Sequence, residues 1–201
     1  HNIERAFKTK KTGIFEVGTG VGKSFAALIP AFLAGKKVVV STATIALQEQ
    51  YMNKDIPILK EIFPFEINAA LLKGRGNYLG IRRFRDHVLE QHIDDDFVDW
   101  VNNTQNGDVS ELDFVPPYDV WGEINSDSDD CLRNKCPCFG KCFYFEARKR
   151  AEKADILVVN HALLLADAAS GGSILPPYQL LIVDEAHHLP DIATDAFSRS
   201  I

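Results

Sequence analysis

The sequence predicts an α/β fold, a parallel sheet with helices on both faces, interrupted by a small, mostly helical or irregular insert that carries every cysteine. Three observations predict it. Short apolar, β-branched runs at 12–15, 37–42, 67–72, 155–160 and 178–183 alternate with helical stretches, the pattern of a doubly wound parallel sheet. The first run leads into a glycine-rich loop ending in Lys-Ser, and the last ends in two acids. Between the third and fourth runs the composition changes abruptly, and all four cysteines, Cys131, Cys136, Cys138 and Cys142, fall within twelve residues.

The first run, Thr12-Gly13-Ile14-Phe15, reads as a short buried strand. It leads into Glu16-Val17-Gly18-Thr19-Gly20-Val21-Gly22-Lys23-Ser24. Strand, glycine loop, Lys-Ser and helix form the layout of a P-loop and predict a RecA-like nucleotide-binding core. Gly18, Thr19, Gly20, Val21 and Gly22 would aim backbone N–H groups at phosphate oxygens. Lys23 would reach the β- and γ-phosphates of ATP, and the Ser24 hydroxyl would bind Mg²⁺. The strict pattern asks for glycine at position 17, where this chain has Val17; the looser helicase form fits from Gly20 onward. The competing reading is a glycine-rich turn that binds nothing.

A helix is expected from Lys23 to about Ala34, with Pro30 inside it and Gly35 as its C-terminal stop. Lys37 to Thr42 follows as a buried strand. A second helix begins at Thr44, capped by Thr42 or Thr44, and helix continues over Ile56 to Phe63. The region from Lys73 to Arg85 holds Lys73, Arg75, Arg82, Arg83 and Arg85 and no acid. Residues 94–130 hold twelve acids and no Lys or Arg. Such a run reads as a solvated or partly disordered surface, although Trp100, Phe114, Tyr118 and Trp121 suggest that parts of it pack. The net charge of −6 is therefore mostly one segment, and basic stretches on both sides, the second at Arg148-Lys149-Arg150, leave room for a phosphate-binding face. The chain resumes strand character at Asp155 to Asn160 and helix at Ala162 to Ala169.

The last run, Tyr178 to Val183, ends in Asp184-Glu185-Ala186-His187. Two carboxylates at the C-terminal end of a parallel strand sit where open α/β sheets bind ligands. If this strand lies beside the P-loop strand, Asp184 holds Mg²⁺ and Glu185 polarises the attacking water. The competing reading is that Asp-Glu merely caps the next helix. His187 completes the tetrapeptide. Clustered cysteines in a chain with no secretory signal form argue for a metal or cluster site over disulfides. No run of 18 apolar residues exists, so no transmembrane helix is expected, and a cytoplasmic location is the default.

With GTGVGKS at 18–24 and DEAH at 184–187, the chain resembles superfamily 2 helicases, and more narrowly the DinG/XPD-type iron–sulfur helicases of the bacterial DinG/YoaA kind. VVVSTATIALQEQ (38–50), KGRGNYL (73–79), the cysteine region (131–148), ADILVVNHALLLAD (154–167) and LLIVDEAHHLPDIA (180–193) carry that resemblance. It implies an ATP-driven DNA helicase of 5′→3′ polarity, associated with DNA repair or replication. The first motor domain would lie at 1–72 and 151–201, with an inserted iron–sulfur-type domain at 73–150. Glu185, Asp184, Lys23 and His187 would serve catalysis. Ser41, Thr42, Gln48, Asn160 and His161 would contact the backbone of single-stranded DNA or of DNA junctions.

The resemblance also implies a [4Fe–4S] cluster. Cys131, Cys136 and Cys142 match its last three ligands, but the first ligand's position is Gly80. Cys138 is an additional thiol close by. Three states stay open: a cluster with Cys138 or an outside ligand in the fourth place, a zinc site, or no metal. No second motor domain follows the DEAH stretch. The expectation is a monomer that binds nucleotide weakly, hydrolyses ATP very slowly and does not unwind DNA alone. A non-catalytic, metal-stapled nucleic-acid-binding module with a vestigial P-loop is the alternative from another class, and a DEAH-type RNA helicase is a third.

Overall fold

The computed structural model describes residues 2–18, 22–64, 66–90 and 95–198. The chain divides into two compact units, one formed by residues 1–72 and 150–201 and the other by residues 73–149. In chain order the helices and strands are α1 (Asn2–Thr9), α2 (Lys23–Leu33), β1 (Val38–Thr42), α3 (Ile45–Gln50), a π-helical turn (Tyr51–Asp55), α4 (Ile56–Ile62), β2 (Ala69–Leu71), α5 (Ile81–Glu90), α6 (Asp95–Asn103), α7 (Tyr118–Ile124), α8 (Phe143–Lys153), β3 (Ile156–Asn160), α9 (His161–Ala169), β4 (Leu180–Val183) and α10 (Leu189–Ser198).

The first unit is built on a four-stranded parallel sheet of order β2-β3-β1-β4. Central β1 pairs Val38 with Ile156 on one side and with Leu180 on the other. All five of its residues are buried. Side chains alternate along a strand, so burial of both Val38/Val40 and Val39/Ser41 means that both faces of the sheet are covered. Leu28 and Ala31 of α2, Ile56 and Leu59 of α4, and Val40, Val158 and Leu180 of the sheet meet in one core. Each such large aliphatic side chain contributes about 1.5–3 kcal/mol by leaving water.

Local chemistry sets the boundaries. The Thr44 side chain accepts the Leu47 N–H (3.2 Å) and starts α3; Asn160 accepts the Leu163 N–H (2.8 Å) and starts α9. Pro30 lies within α2, and Gly35 follows that helix at φ 62°, a left-handed conformation that glycine adopts without a Cβ clash.

One expected element is absent. Residues 12–15 form no strand: none of the described strands pairs with them, Ile14 is almost fully exposed, and Phe15 is half exposed. Four residues containing a glycine have little to hold them without a ladder partner. The strand that ends in Asp184 therefore pairs with β1, not with a strand before the glycine loop.

In the second unit the described residues 95–130 are mostly exposed, as the acidic composition leads one to expect, but part of the segment packs. Phe97 of α6 is buried against Leu79, Phe84 and Ile124, with Trp100 and Trp121 packed around them. Its ring lies 5.5 Å from Trp100, 5.9 Å from Phe114 and 6.4 Å from Trp121, centroid to centroid. Asp95, Asp96 and Asp99 of α6 and Asp119 and Glu123 of α7 are exposed, while Phe97 and Ile124 of the same helices face inward. Tyr118, expected to pack, is exposed. Residues 78–80 thread this unit: Leu79 N–H donates to Gly107 O (2.7 Å), Gly80 N–H to Ile124 O (2.8 Å), and Ser126 N–H to Tyr78 O (2.7 Å). Lys73 is buried, with Nζ 2.6 Å from Asp108 Oδ2 and donating to Ser110 Oγ at 2.7 Å.

Candidate functional site

The nucleotide site belongs to the first unit. Gly22 has φ 80° and turns the chain into α2, placing Lys23 and Ser24 in the helix's first turn. Thr19, Gly20 and Val21 lie outside the described residues. From the far end of the sequence, β4 delivers Asp184, whose N–H donates to Ser41 O (2.8 Å) and so extends the ladder by one bond. Glu185 follows at φ 54°, ψ 46°, a left-handed conformation that costs a non-glycine residue energy and turns its side chain off the strand axis.

These two ends meet. Lys23 Nζ donates to Glu185 Oε1 at 2.7 Å, both side chains being about 30% exposed. That hydrogen bond, reinforced by the Lys23 charge, holds the Glu185 carboxyl below the usual carboxylate range against the opposing effect of burial. Reciprocally, the bond to Glu185 raises Lys23. Asp184 is held by both oxygens: Oδ1 accepts the Glu185 N–H (3.1 Å) and Oδ2 accepts the Tyr51 hydroxyl (3.1 Å). His187 is mostly exposed, with Nδ1 3.4 Å from Glu185 Oε2 and its ring tilted against that of His188, 4.0 Å between centroids.

Tyr51 was not legible as a site residue, because an aromatic side chain at helical spacing reads as core. Its ring is buried in the main core, while its hydroxyl emerges beside Asp184. Burial, followed by the Asp184 charge, pushes its phenol well above the ordinary value.

The residues expected along a nucleic-acid path lie deeper. Ser41, Thr42, Gln48 and His161 are buried. Ser41 Oγ pairs with His161 Nδ1 at 2.7 Å. His161 Nε2 lies against the Asp184–Glu185 backbone without a well-formed hydrogen bond, and burial holds the imidazole below its ordinary pKa. The Gln48 amide is buried with neither atom hydrogen-bonded. Asn160 spends its side chain on capping α9. None of the four buried side chains presents a preformed surface to a strand.

The thiols belong to the second unit. Cys131, Cys136, Cys138 and Cys142 line one cavity of about 50 Å³, together with Gly80. The short 3₁₀ turns Arg133–Lys135 and Phe139–Lys141 fold the cysteine-bearing loop around it. Among the described residues, no group of three or more His, Cys, Asp or Glu side chains is placed to hold a metal ion. A side chain at position 80 has no room: a Cβ there would lie 2.8 Å from Asn125 O and 3.0 Å from Ile124 O.

Guanidinium groups face the thiols. Arg85 Nη1 approaches Cys138 Sγ at 3.7 Å. Burial pushes the Cys131 thiol up, but a hydrogen bond from Arg75, another from the Arg133 backbone and both arginine charges outweigh it and hold the thiol below its ordinary value. Arg75 also stacks over the Tyr144 ring at 4.2 Å.

The basic stretch expected to leave a phosphate-binding face is largely engaged within its own unit. Lys73 pairs with Asp108, Arg75 donates to Asp127 O, Arg82 contacts Asp86 and Asp130 O, and Arg83 contacts Asn125 and Gly122 O.

Comparison with known proteins gives concordant matches. The DEAD_2 family model matches residues 121–201. The ATP-dependent DNA helicase YoaA of Haemophilus influenzae is 38% identical over 212 aligned positions, covering 99% of this chain and 33% of that protein. The ATP-dependent helicase DinG of Mycobacterium tuberculosis is 35% identical, covering 96% of this chain and 33% of that protein. The 3'-5' exonuclease DinG of Bacillus subtilis is also 35% identical, covering 96% of this chain and 22% of that protein. The chain thus spans a third or less of the length of these relatives.

Proposed function

Since this chain carries a DEAD_2 segment and is homologous over nearly its whole length to DinG/YoaA helicases, we propose that it supplies the nucleotide site of an ATP-dependent DNA helicase of 5′→3′ polarity. The observation that carries the reading is the Lys23–Glu185 contact, which joins the glycine-loop lysine to the strand-end acid across 162 residues of sequence. A lysine in the first turn of a helix, beside the backbone N–H groups of its N-terminus, suits a triphosphate. Lys23 would exchange Glu185 for the β- and γ-phosphates. Freed from that pair, Glu185 would orient and deprotonate the attacking water. Ser24 and Asp184 would hold the Mg²⁺ that accompanies the nucleotide. His187, with Nδ1 3.4 Å from Glu185 Oε2, would assist catalysis beside that acid.

The nucleic-acid partner is single-stranded DNA or a DNA junction, in repair or replication within the cytoplasm. The Ser41–His161 bond, which ties the end of β1 to the start of α9, supports this indirectly. Sequence-independent contact needs only backbone N–H groups and hydroxyls at such an edge.

For the second unit, the chemistry of the donor set fits a thiolate-ligated iron–sulfur cluster. Four thiols line one cavity, and thiolates are the usual ligands of such clusters; zinc would draw on the same donors. Cys131, Cys136 and Cys142 would hold the cluster, with Cys138 as the fourth ligand. Gly80 leaves no space for a side chain there, and Cys138 lines the same cavity. Bound there, the cluster would supply a rigid cross-link and a one-electron couple; Arg75 and Arg85 would compensate thiolate charge.

Two measurements test the proposal. Binding of a fluorescent ADP analogue to the wild type, against none for Lys23→Ala, is expected; equal binding by both would remove the nucleotide reading. For protein purified without oxygen, a broad visible charge-transfer band with iron and sulfide near stoichiometry is expected, lost in Cys138→Ser. Stoichiometric zinc, or a spectrum untouched by Cys138→Ser, would overturn the assignment.

A further inference from the structure

We propose that Tyr51 is a positioning residue for the metal–nucleotide site, fixing the orientation of Asp184, a group that would carry the metal. This deepens the nucleotide reading above and rests on it.

The geometry starts from an irregularity. Between α3 and α4 the helix passes through a single π turn, Tyr51–Asp55, closed by the Ile56 N–H bonding to Tyr51 O five residues back. Such a turn holds one residue more than an α-helical turn and rotates its side chains relative to those before it, and it is found most often at functional sites. Its first residue is Tyr51. The ring packs in the core among Leu28, Ile56 and Leu59 and is 2% exposed, so its orientation is fixed by packing.

From that fixed ring the hydroxyl reaches Asp184 Oδ2 at 3.1 Å, 133 residues away in sequence. A phenol has one proton to donate and lone pairs to accept with. Donating that proton to Asp184 ties the carboxylate to a ring that packing holds in place. With Oδ1 taken by the Glu185 N–H, the Asp184 carboxylate cannot rotate without breaking a bond at either end. Each of its oxygens keeps a lone pair for a metal or its water. The aspartate is therefore pre-set before nucleotide arrives, so less orientational freedom is lost on binding.

Tyr51→Phe keeps the ring and removes only the hydroxyl. The experiment measures affinity of the 201-residue chain for a fluorescent ADP analogue, with Mg²⁺ and with excess EDTA, for wild type, Tyr51→Phe and Lys23→Ala. Tyr51→Phe is expected to leave affinity in EDTA unchanged and to lose about tenfold of the tightening that Mg²⁺ provides, the scale of one hydrogen bond to a charged group. Equal losses with and without Mg²⁺ would mean that the hydroxyl serves the fold alone, and an unchanged Mg²⁺ effect would mean that it serves neither; either overturns the proposal. Lys23→Ala separates the two readings. If it abolishes binding in both conditions while Tyr51→Phe changes nothing, only the Tyr51 role falls. If it binds as wild type does, the nucleotide reading falls first. Tyr51→Trp, which fills the core without placing a hydroxyl at the same point, gives a second variant with the same expected loss.

Discussion

Lys23 in the first turn of α2 and Glu185 beyond β4 are joined, Nζ to Oε1, at 2.7 Å. In the absence of nucleotide, the groups proposed to hold the phosphates and to activate water neutralise each other. An arriving triphosphate competes with Glu185 for one ammonium.

Glu185→Gln removes that competitor and the proposed base together. Nucleotide affinity is expected to rise several-fold, while any hydrolysis falls by roughly 10²- to 10⁴-fold, the usual contribution of a positioned base. Fluorescence titration and phosphate release measure the two. A fall in affinity would show that Glu185 assists binding and does not oppose it.

The same pair carries a pH signature. Because the Glu185 carboxyl is held below its unfolded value, its contribution to stability is complete above about pH 4.3 and fades as the pH drops through the depressed folded value. Lys23 is raised, so its share is present at neutral pH and is lost only as the pH climbs past about 10.4. Melting temperature against pH should therefore differ between wild type and Glu185→Gln at pH 7 and converge in strong acid. Partial exposure makes the difference small and sensitive to salt.

Lys73 and Asp108 present the opposite case, an ion pair almost entirely out of water. Lys73→Met leaves Asp108 buried without its partner and should cost about 3–5 kcal/mol, whereas Lys73→Met with Asp108→Leu should recover most of that loss. Both tryptophans of the protein, Trp100 and Trp121, lie in the second unit, so urea unfolding followed by intrinsic fluorescence reads this unit selectively.

At position 80 the backbone passes so close to Asn125 that even a methyl group intrudes. Gly80→Ala and Gly80→Cys are each expected to destabilise the second unit by about 1–3 kcal/mol, by the same fluorescence measurement. An unperturbed Gly80→Cys protein would show that the loop yields easily and would return position 80 to the set of available ligands.

Asn160→Ala removes the cap of α9. Loss of the bond to the Leu163 N–H should cost about 0.5–2 kcal/mol, measured by far-ultraviolet circular dichroism in denaturant. Asn160→Asp, which keeps an acceptor at the helix start, should recover most of it.

Much of this protein is readable from its sequence. Short apolar, β-branched runs of four to six residues between turn signals favour buried strands, so β1, β3 and β4 are legible, and so are the caps at Thr44 and Asn160, whose chemistry is local. Glycine, lysine and serine in succession, and acids following an apolar strand, announce their roles because those roles depend on nearest neighbours. Tertiary structure alone decided what depends on distant partners. Residues 12–15 have strand-like composition, yet a strand exists only where another offers its edge. The acid-rich segment reads as solvated because charge is counted along the chain, while its aromatic residues meet only after folding. The basic stretch at 73–85 reads as a surface for phosphate, but most of its cations are turned inward by carboxylates and carbonyls up to 52 residues away. Tyr51 joins Asp184 only because one extra residue in a helical turn aims a core ring at a strand end 133 residues distant, a relation that no local pattern encodes.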